Sequence, residues 1–235
     1  PAAPAQSGVA FPQQPAVQLR DQHGNAVAQA GVVVTVELDS GDGTLGGTLP
    51  ANTAANGLAT FTDLAITGAI GVRTLTFAAP GLAPTTSDPI TLTAGSAAHL
   101  AIVTEPAASA RSGIAFTRQP VVQLQDASGN PIVQSGIDVT AALDSGGGTL
   151  GGTVTVSTDS AGFATFTDLA ISGLVGERTL RFSTAGLTGA TSEPIALAAG
   201  AAVQLAIATA PSSAAQAGLA LGQQPIVQLQ DGRGN

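Results

Sequence analysis

Hydrophobic and polar residues alternate in short runs along this chain, and each run ends in residues that favour turns. In Val17-Gln18-Leu19-Arg20 the apolar side chains recur at every second position. Alternation of this kind indicates a strand with one buried face and one face in water. The segment Gly31–Leu38 repeats the pattern with four apolar residues on one face. No stretch has helical periodicity, so the sequence predicts an all-β protein.

The pattern returns with a period of 105 residues. Gln14–Asn25, Gln119–Asn130 and Gln224–Asn235 each contain a proline-led strand followed by an Asp-x-x-Gly-Asn turn. Proline suits the start of a strand because it has no N–H to donate, and glycine and asparagine tolerate the backbone of a reversal. Periodicity on this scale predicts tandem domains. We assign 1–95 to repeat 1, which lacks its first strand, 96–200 to the complete repeat 2, and 201–235 to the opening strands of repeat 3.

Each repeat contains further short strands separated by turns. In the first repeat, the apolar positions change parity between Phe61 and Leu64, which predicts a bulge or bend near Asp63. Several short strands with regular turns predict a two-sheet β-sandwich, with Phe61 and Phe166 in the two cores. The short connection at Thr93–Ala98 predicts that neighbouring domains form a linear array.

Composition narrows the classes of function. The 235 residues include no cysteine, only 9% charged residues and a formal net charge of −8. A nucleic-acid-binding surface needs clustered basic residues, which are missing, and no apolar run reaches the roughly 20 residues of a membrane helix. We expect neither nucleic-acid binding nor membrane insertion. The low charge predicts either a polar, neutral surface or one covered by neighbours or by O-linked glycans, because no Asn-x-Ser/Thr sequon is present.

The glycine-rich segment Asp39–Gly47 raises the question of a calcium loop. Asp39 and Asp42 supply two carboxylates, but the second repeat has Gly147 in place of the latter. Calcium takes six or more oxygen ligands, so we interpret the segment as a flexible polar turn. It also has no lysine or following helix of a phosphate-binding loop.

Other ionisable residues do not form a catalytic pattern. The two histidines, His23 and His99, are not repeated in the second copy, and a serine–histidine–aspartate triad needs a positioned histidine. Asp63 and Asp168 do recur, and we interpret them as hydrogen-bonded turn residues.

Three carboxylates remain as candidates for calcium binding. Asp88, its counterpart Glu193, and Glu105 are near the predicted domain junction but lack the ligand clusters of calcium-bridged domains. We therefore predict no catalytic, cofactor-binding or metal-binding residue, no cofactor and no enzymatic activity.

The two full repeats resemble the bacterial immunoglobulin-like repeats of invasin- and intimin-type surface proteins. The resemblance rests on Asp126-x-x-Gly129-Asn130-Pro131, on the strand Gly136-Ile137-Asp138-Val139-Thr140, and on Thr158-Asp159-x-x-Gly162-x-Ala164 before Phe166. It implies tandem immunoglobulin-like domains that form rods on the bacterial surface and display an adhesive tip. The tip domain has no counterpart here, so the resemblance implies no binding residue.

Three functions follow as hypotheses. The first is a structural segment of an extracellular or cell-surface stalk, adhesin shaft or filament. The second is a spacer module in a secreted polysaccharide-active enzyme, and the third is a ligand-binding module. The expected partners are neighbouring immunoglobulin-like domains of the same chain or of identical chains, the latter in a homopolymeric fibre.

The alignment also bears on how the ends join. Pro1 aligns with Pro106 and Pro211, so the first repeat lacks a copy of the strand around Leu100 and Ile102. A sandwich without that strand has an unpaired edge. We expect this sequence to be part of a longer covalent array in which the missing strand lies upstream. Strand exchange between identical chains is the alternative.

Overall fold

The computed structural model describes residues 4–235, which form strands and turns and no helix. By contacts the chain divides into two compact units. The first runs to Ala98 and also takes in Gln125–Ile132, and the second contains His99–Leu124 and Val133–Asn235. The strands up to Thr93 are β1 (Ala5–Gln6), β2 (Ala16–Gln18), β3 (Val33–Ser40), β4 (Thr44–Gly46), β5 (Pro50–Asn52), β6 (Leu58–Thr60), β7 (Ala65–Thr67), β8 (Gly71–Ala78), β9 (Thr85–Thr86) and β10 (Ile90–Thr93).

After one additional strand, β11, the strands β12–β21 repeat this order, and β22 and β23 follow them. These strands are β11 (Ala97–Thr104), β12 (Ser109–Arg111), β13 (Val121–Asp126), β14 (Asp138–Ser145), β15 (Thr149–Gly151), β16 (Thr155–Ser157), β17 (Phe163–Thr165), β18 (Ala170–Ser172), β19 (Gly176–Ser183), β20 (Ala190–Thr191), β21 (Ile195–Ala198), β22 (Gln204–Thr209) and β23 (Ile226–Gln230).

The first unit is a β-sandwich. One sheet has the order β1-β10-β8-β3-β5 with β9 beside β8, and the pairs β2–β6 and β4–β7 lie on the other side of the core. β1 runs parallel to β10, and β3 and β8 are antiparallel. Phe61 and Phe77 meet in the core with ring centroids 5.5 Å apart. Because large side chains are few, this aromatic pair contributes a large share of the buried apolar area.

The second unit has the same topology. Its larger sheet has the order β12-β21-β19-β14-β16 with β20 beside β19, and β15 pairs with β18. A three-stranded sheet has the order β11-β13-β17, and β22 pairs with β23. Phe166 and Phe182 repeat the aromatic pair at 5.4 Å. The predicted all-β, immunoglobulin-like sandwich is confirmed.

The predicted bend is also confirmed. β6 pairs with β2, whereas β7 pairs with β4. The chain therefore changes its pairing partner between Thr60 and Ala65, and apolar residues of both parities, Phe61 and Leu64, are buried on either side of the bend.

Two details differ from the sequence prediction. The second strand begins at Val33 rather than Gly31, because Gly31 has a positive φ of 80°, which an extended strand does not have. The glycine-rich segment is not a turn throughout: Thr44–Gly46 forms β4, with Leu45 opposite Ile66. Only residues 41–43 and Gly47 of the segment lie outside the strands. The repeat boundaries after residues 95 and 200 stay predictions from the period.

Candidate functional site

The Asp-x-x-Gly-Asn turn after β13 is held by its own side chains. Asp126 Oδ1 accepts hydrogen bonds from the backbone N–H groups of Ser128 (2.8 Å) and Asn130 (2.9 Å). The Asn130 side chain donates to Asp126 Oδ2 at 2.8 Å. Gly129 closes the turn with a φ of 80°, which a residue with a Cβ rarely adopts. The motif therefore specifies its own local structure.

This turn also binds other backbone groups of the first compact unit. Asn130 donates to the carbonyl oxygen of Gly68 (2.9 Å) and accepts from the N–H of Ile70 (2.9 Å). Asp126 Oδ2 accepts from the N–H of Gly95 at 2.7 Å. We call Asp126–Asn130 the docking turn, and the groups of Gly68, Ile70 and Gly95 that it binds the socket. Asp126 and Asn130 are only 2% and 4% exposed.

The second unit repeats the arrangement 105 residues later. The docking turn there is Asp231–Asn235. Asn235 donates to the carbonyl oxygen of Gly173 (3.0 Å) and accepts from Val175 N (2.9 Å), while Asp231 accepts from Gly200 N (2.7 Å). The same side chains bind the same backbone positions in both units, so the contact is part of the repeated design.

The electrostatics favour the charged form of each docking aspartate. Burial raises the pKa of Asp126, but hydrogen bonds from the Asn130 side chain and from the N–H groups of Gly95, Asn130 and Ser128 more than offset it, and the net shift is downward. The hydrogen bond from Asn235, followed by that from Gly200, lowers the pKa of Asp231 well below its usual range. A carboxylate that accepts several N–H bonds is stabilised as the anion.

A buried arginine stabilises the loop that contains the socket residues Gly68 and Ile70. Arg73 is 6% exposed and donates to the carbonyl oxygens of Asp42 (2.8 Å), Val72 (2.9 Å) and Ala69 (2.7 Å). Ala69 lies between the two socket residues Gly68 and Ile70, so the guanidinium fixes the loop that presents them. Several donors in one planar group suit this task.

The equivalent arginine in the second unit makes fewer bonds. Arg178 donates to the carbonyl oxygens of Leu174 and Glu177, but its buried Nε has no partner among the described residues. Gly147, which stands in place of Asp42, has a φ of 70°. Asp42 does not have a positive φ. The backbone carbonyl of Gly147 is therefore oriented differently from that of Asp42, which accepts the bond from Arg73.

The socket glycine Gly95 and its counterpart Gly200 lie too close to neighbouring backbone for a residue with a Cβ. A Cβ on Gly95 would lie 2.5 Å from the carbonyl oxygen of Ser7, and one on Gly200 would lie 2.6 Å from that of Ser112. Both distances are shorter than van der Waals contact allows. Any larger residue would displace the N–H that the docking aspartate binds.

The first copy of the motif, Asp21–Asn25, forms the same turn, and residues 4–235 supply no socket for it. Asp21 accepts from the backbone N–H groups of His23 and Asn25 (2.9 Å each) and from the Asn25 side chain (3.0 Å). The Asn25 side chain is the main cause of the lowered pKa of Asp21. Both Asp21 and Asn25 are exposed.

The other ionisable candidates from the sequence are at separate places. The Asp39 carboxylate accepts from Thr74 Oγ1 at 3.0 Å, whereas Asp42 contributes its backbone carbonyl to Arg73. His23 is exposed within the first turn, and His99 forms a bridge with Thr188.

The recurring aspartates at the bend are hydrogen-bonded turn residues, as predicted. Asp63 accepts from the N–H (2.8 Å) and hydroxyl (3.0 Å) of Thr48, and these bonds lower its pKa. Asp168 has the same two bonds to Thr153. The pairs join the end of each glycine-rich segment to the bend.

The three junction carboxylates are divided between the units. Asp88 belongs to the first, whereas Glu105 and Glu193 belong to the second, where Glu105 accepts from the Glu193 N–H at 3.2 Å. Within residues 4–235, no three His, Asp or Glu side chains are grouped as metal ligands would be.

Sequence reasoning missed the socket and its supporting arginine. It treated the Asp-x-x-Gly-Asn segment only as the end of a strand. The signal was present: the Asp, Gly and Asn are identical in all three copies, while the two positions between Asp and Gly vary. All three residues also serve the turn itself, so the sequence could not separate the contact with the socket from the local structure.

Comparison with known proteins adds little beyond the described geometry. No protein-family profile matches the chain, and no curated protein matches it significantly. Among solved structures, it is similar to the Yersinia pseudotuberculosis adhesin InvE, at 22% identity and a TM-score of 0.34, over 83% of this chain and 57% of the adhesin. A family 2 glycosyl hydrolase from Bacteroides cellulosilyticus matches at 12% identity and 0.37, over 72% of this chain and 22% of the hydrolase.

The S-layer protein SbsC matches at 18% identity and a TM-score of 0.32, over 81% of this chain and 24% of SbsC. The chain thus spans little more than half of the adhesin and less than a quarter of the other two proteins. Global similarity this low carries no argument about function. In the part of the chain that the structure describes, no helix has the length and apolar character to cross a membrane.

Proposed function

We propose that the chain is a structural segment of an extracellular bacterial surface stalk, adhesin shaft or filament built from tandem immunoglobulin-like domains. The observation that supports this proposal is the docking turn in its socket. Residues 125–132 belong by period to the second repeat but are part of the first compact unit. One repeat is therefore completed by residues of the next.

The chemistry of the socket fits a role in joining repeats. The aspartate and asparagine of the docking turn bind backbone groups of the socket, and the same three positions serve in both units. Recognition of backbone does not depend on the variable side chains of each repeat, so it can recur along an array. A stalk needs a contact with this property.

Two measurements on the native protein test the proposal. Antibodies raised against the chain should label intact cells. Pulling on single molecules should give repeated unfolding steps of about 350 Å, the extended length of one 105-residue period at about 3.3–3.6 Å per residue. Labelling only after lysis would contradict the proposal. A polysaccharide-degrading activity on the same polypeptide would favour the spacer hypothesis instead.

A further inference from the structure

The first unit has an open groove beside β2. Its volume is about 600 Å³, and it lies between Pro15–Arg20 on one side and Leu82–Ser87 on the other. Val34 and Phe77 contribute to its lining. The lining thus combines the whole of β2 with apolar side chains, and a strand beside an apolar surface is a site that suits an extended peptide.

The second unit shows what fills the equivalent position. There β11 pairs with β13, the counterpart of β2. On its other side, Leu100 N donates to the carbonyl oxygen of Thr188 at 2.8 Å. Thr188 is the counterpart of Ala83, which lines the open groove of the first unit. A strand in that groove would therefore find hydrogen-bonding backbone on both sides.

Burial and strand length differ between the two units in the way that a neighbouring strand predicts. Val122 of β13, which pairs with β11, is fully buried, whereas its counterpart Val17 is only half-buried. β13 has six residues, but β2 has only three. A neighbouring strand completes both the burial and the pairing of this edge.

The exposed turn Asp21–Asn25 directly follows Pro15–Arg20, the segment that lines one side of the groove. In the first unit, the docking aspartate Asp126 binds the N–H of Gly95, and β11 begins two residues after that glycine. One continuous segment, Gly95–Thr104, thus supplies both the N–H for a docking turn and a strand. The end of the chain has a second such segment, Gly200–Thr209, and the two share Gly-x-Ala-x-x-Leu-Ala-Ile-x-Thr.

We propose that the groove of the first unit, together with Asp21–Asn25, binds a segment of another repeat that has the sequence Gly-x-Ala-x-x-Leu-Ala-Ile-x-Thr. The segment enters as a strand between β2 and Ala83 and donates the N–H of its glycine to Asp21. Its leucine lies opposite Leu19 and its isoleucine opposite Val17, as Leu205 lies opposite Leu229 and Ile207 opposite Val227 in β22–β23. The segment carries no Asp, Glu, Lys or Arg, which suits a groove with apolar side chains in its lining. This inference rests on the proposed function and identifies the partner at this end of the unit.

A synthetic peptide of residues 95–104 added to the full chain of 235 residues tests the inference. We expect slower amide exchange at Ala16–Arg20 and an upward shift in the melting of the first unit. A peptide with Leu100→Asp and Ile102→Asp is the matched control and should have neither effect. Absence of protection at Ala16–Arg20 at millimolar peptide overturns the inference, as does protection confined to Ile226–Gln230.

A variant of the chain tests the part played by the turn. Asp21→Ala removes an exposed side chain, so folding should be retained, while affinity for the peptide should fall at least about tenfold, as expected for a lost hydrogen bond to a charged group. Gln22→Ala is the matched control, because Gln22 is exposed in the same turn and the second repeat has Ala127 at this position, and it should leave the affinity for the peptide unchanged. Equal affinity of wild type and Asp21→Ala would exclude the turn. If the peptide does not bind, but the native protein still unfolds in steps of one repeat, this inference is overturned and the proposed function stands.

Discussion

Asn130 donates its side-chain amide to the carbonyl oxygen of Gly68, 62 residues earlier, at 2.9 Å, and accepts the N–H of Ile70 at the same distance. One asparagine thus satisfies both a donor and an acceptor of the same backbone loop, as a neighbouring strand would. Asn235 does the same for Gly173 and Val175. The asparagine amide can do this because it has both a donor and an acceptor on one short side chain.

Replacing Asn130 with alanine should destabilise the first unit by about 1–3 kcal/mol, because this buried side chain would no longer bind the backbone of Gly68 and Ile70 or the carboxylate of Asp126. Chemical denaturation together with amide exchange at Gly68–Ile70 measures the effect. Asn25→Ala is the matched control, since Asn25 is in the same motif but exposed, and its effect should stay within about 0.5 kcal/mol. Equal effects of the two substitutions would mean that the socket contributes nothing.

The lowered pKa of Asp126 predicts a loss of stability in acid. Because the pKa is lower in the folded than in the unfolded chain, the unfolded state binds more protons as the pH falls. The contribution of Asp126 is present in full above the unfolded value of about 3.9 and is lost as the pH falls through the lower folded value. Unfolding free energies measured from pH 6 to pH 2 should fall less steeply for Asp126→Asn than for wild type. Parallel curves would contradict this assignment.

The fold could be predicted because alternation is a local signal. Val34 and Val36 are buried where the period-2 pattern puts them, and the parity change at Asp63 marks the bend. The socket could not be predicted in this way, since its groups at Gly68, Ile70 and Gly95 are backbone atoms that any residue possesses. Only the tertiary fold brings them to Asn130. The β4 strand was missed because glycines on both sides of Thr44-Leu45 hide a short alternating run.

The aromatic pair in each core predicts a large effect of truncation. Phe166 is 1% exposed and packs against Phe182, so Phe166→Ala should destabilise the second unit by about 3–5 kcal/mol. Phe163→Leu is the control, because Phe163 is half-buried and the first repeat has Leu58 at the same position. Denaturant midpoints of the two variants measure the difference. A loss of less than about 1 kcal/mol for Phe166→Ala would show that the cavity collapses.

Replacing the socket glycine Gly95 should destabilise the first unit. In Gly95→Ala, the new Cβ would lie 2.5 Å from the carbonyl oxygen of Ser7 and 3.4 Å from Asp126 Oδ2. The first of these atoms belongs to the backbone next to β1, so relief of the clash requires β1 to shift or the Gly95 N–H to turn away from Asp126. Forcing extra volume into a packed site costs about 1–3 kcal/mol, and we expect a loss of that size.

Gly46→Ala supplies the control within the same unit, because its nearest atom would be 4.0 Å away and its φ is not in the positive range. Denaturation should leave this variant close to wild type. The substitutions also differ in a second readout: Gly95→Ala should raise the pKa of Asp126 toward its usual value, since the carboxylate loses one N–H donor, whereas Gly46→Ala should not. An Asp126 carboxyl that titrates unchanged in a destabilised Gly95→Ala variant would show that glycine serves packing at β1 and not the docking turn.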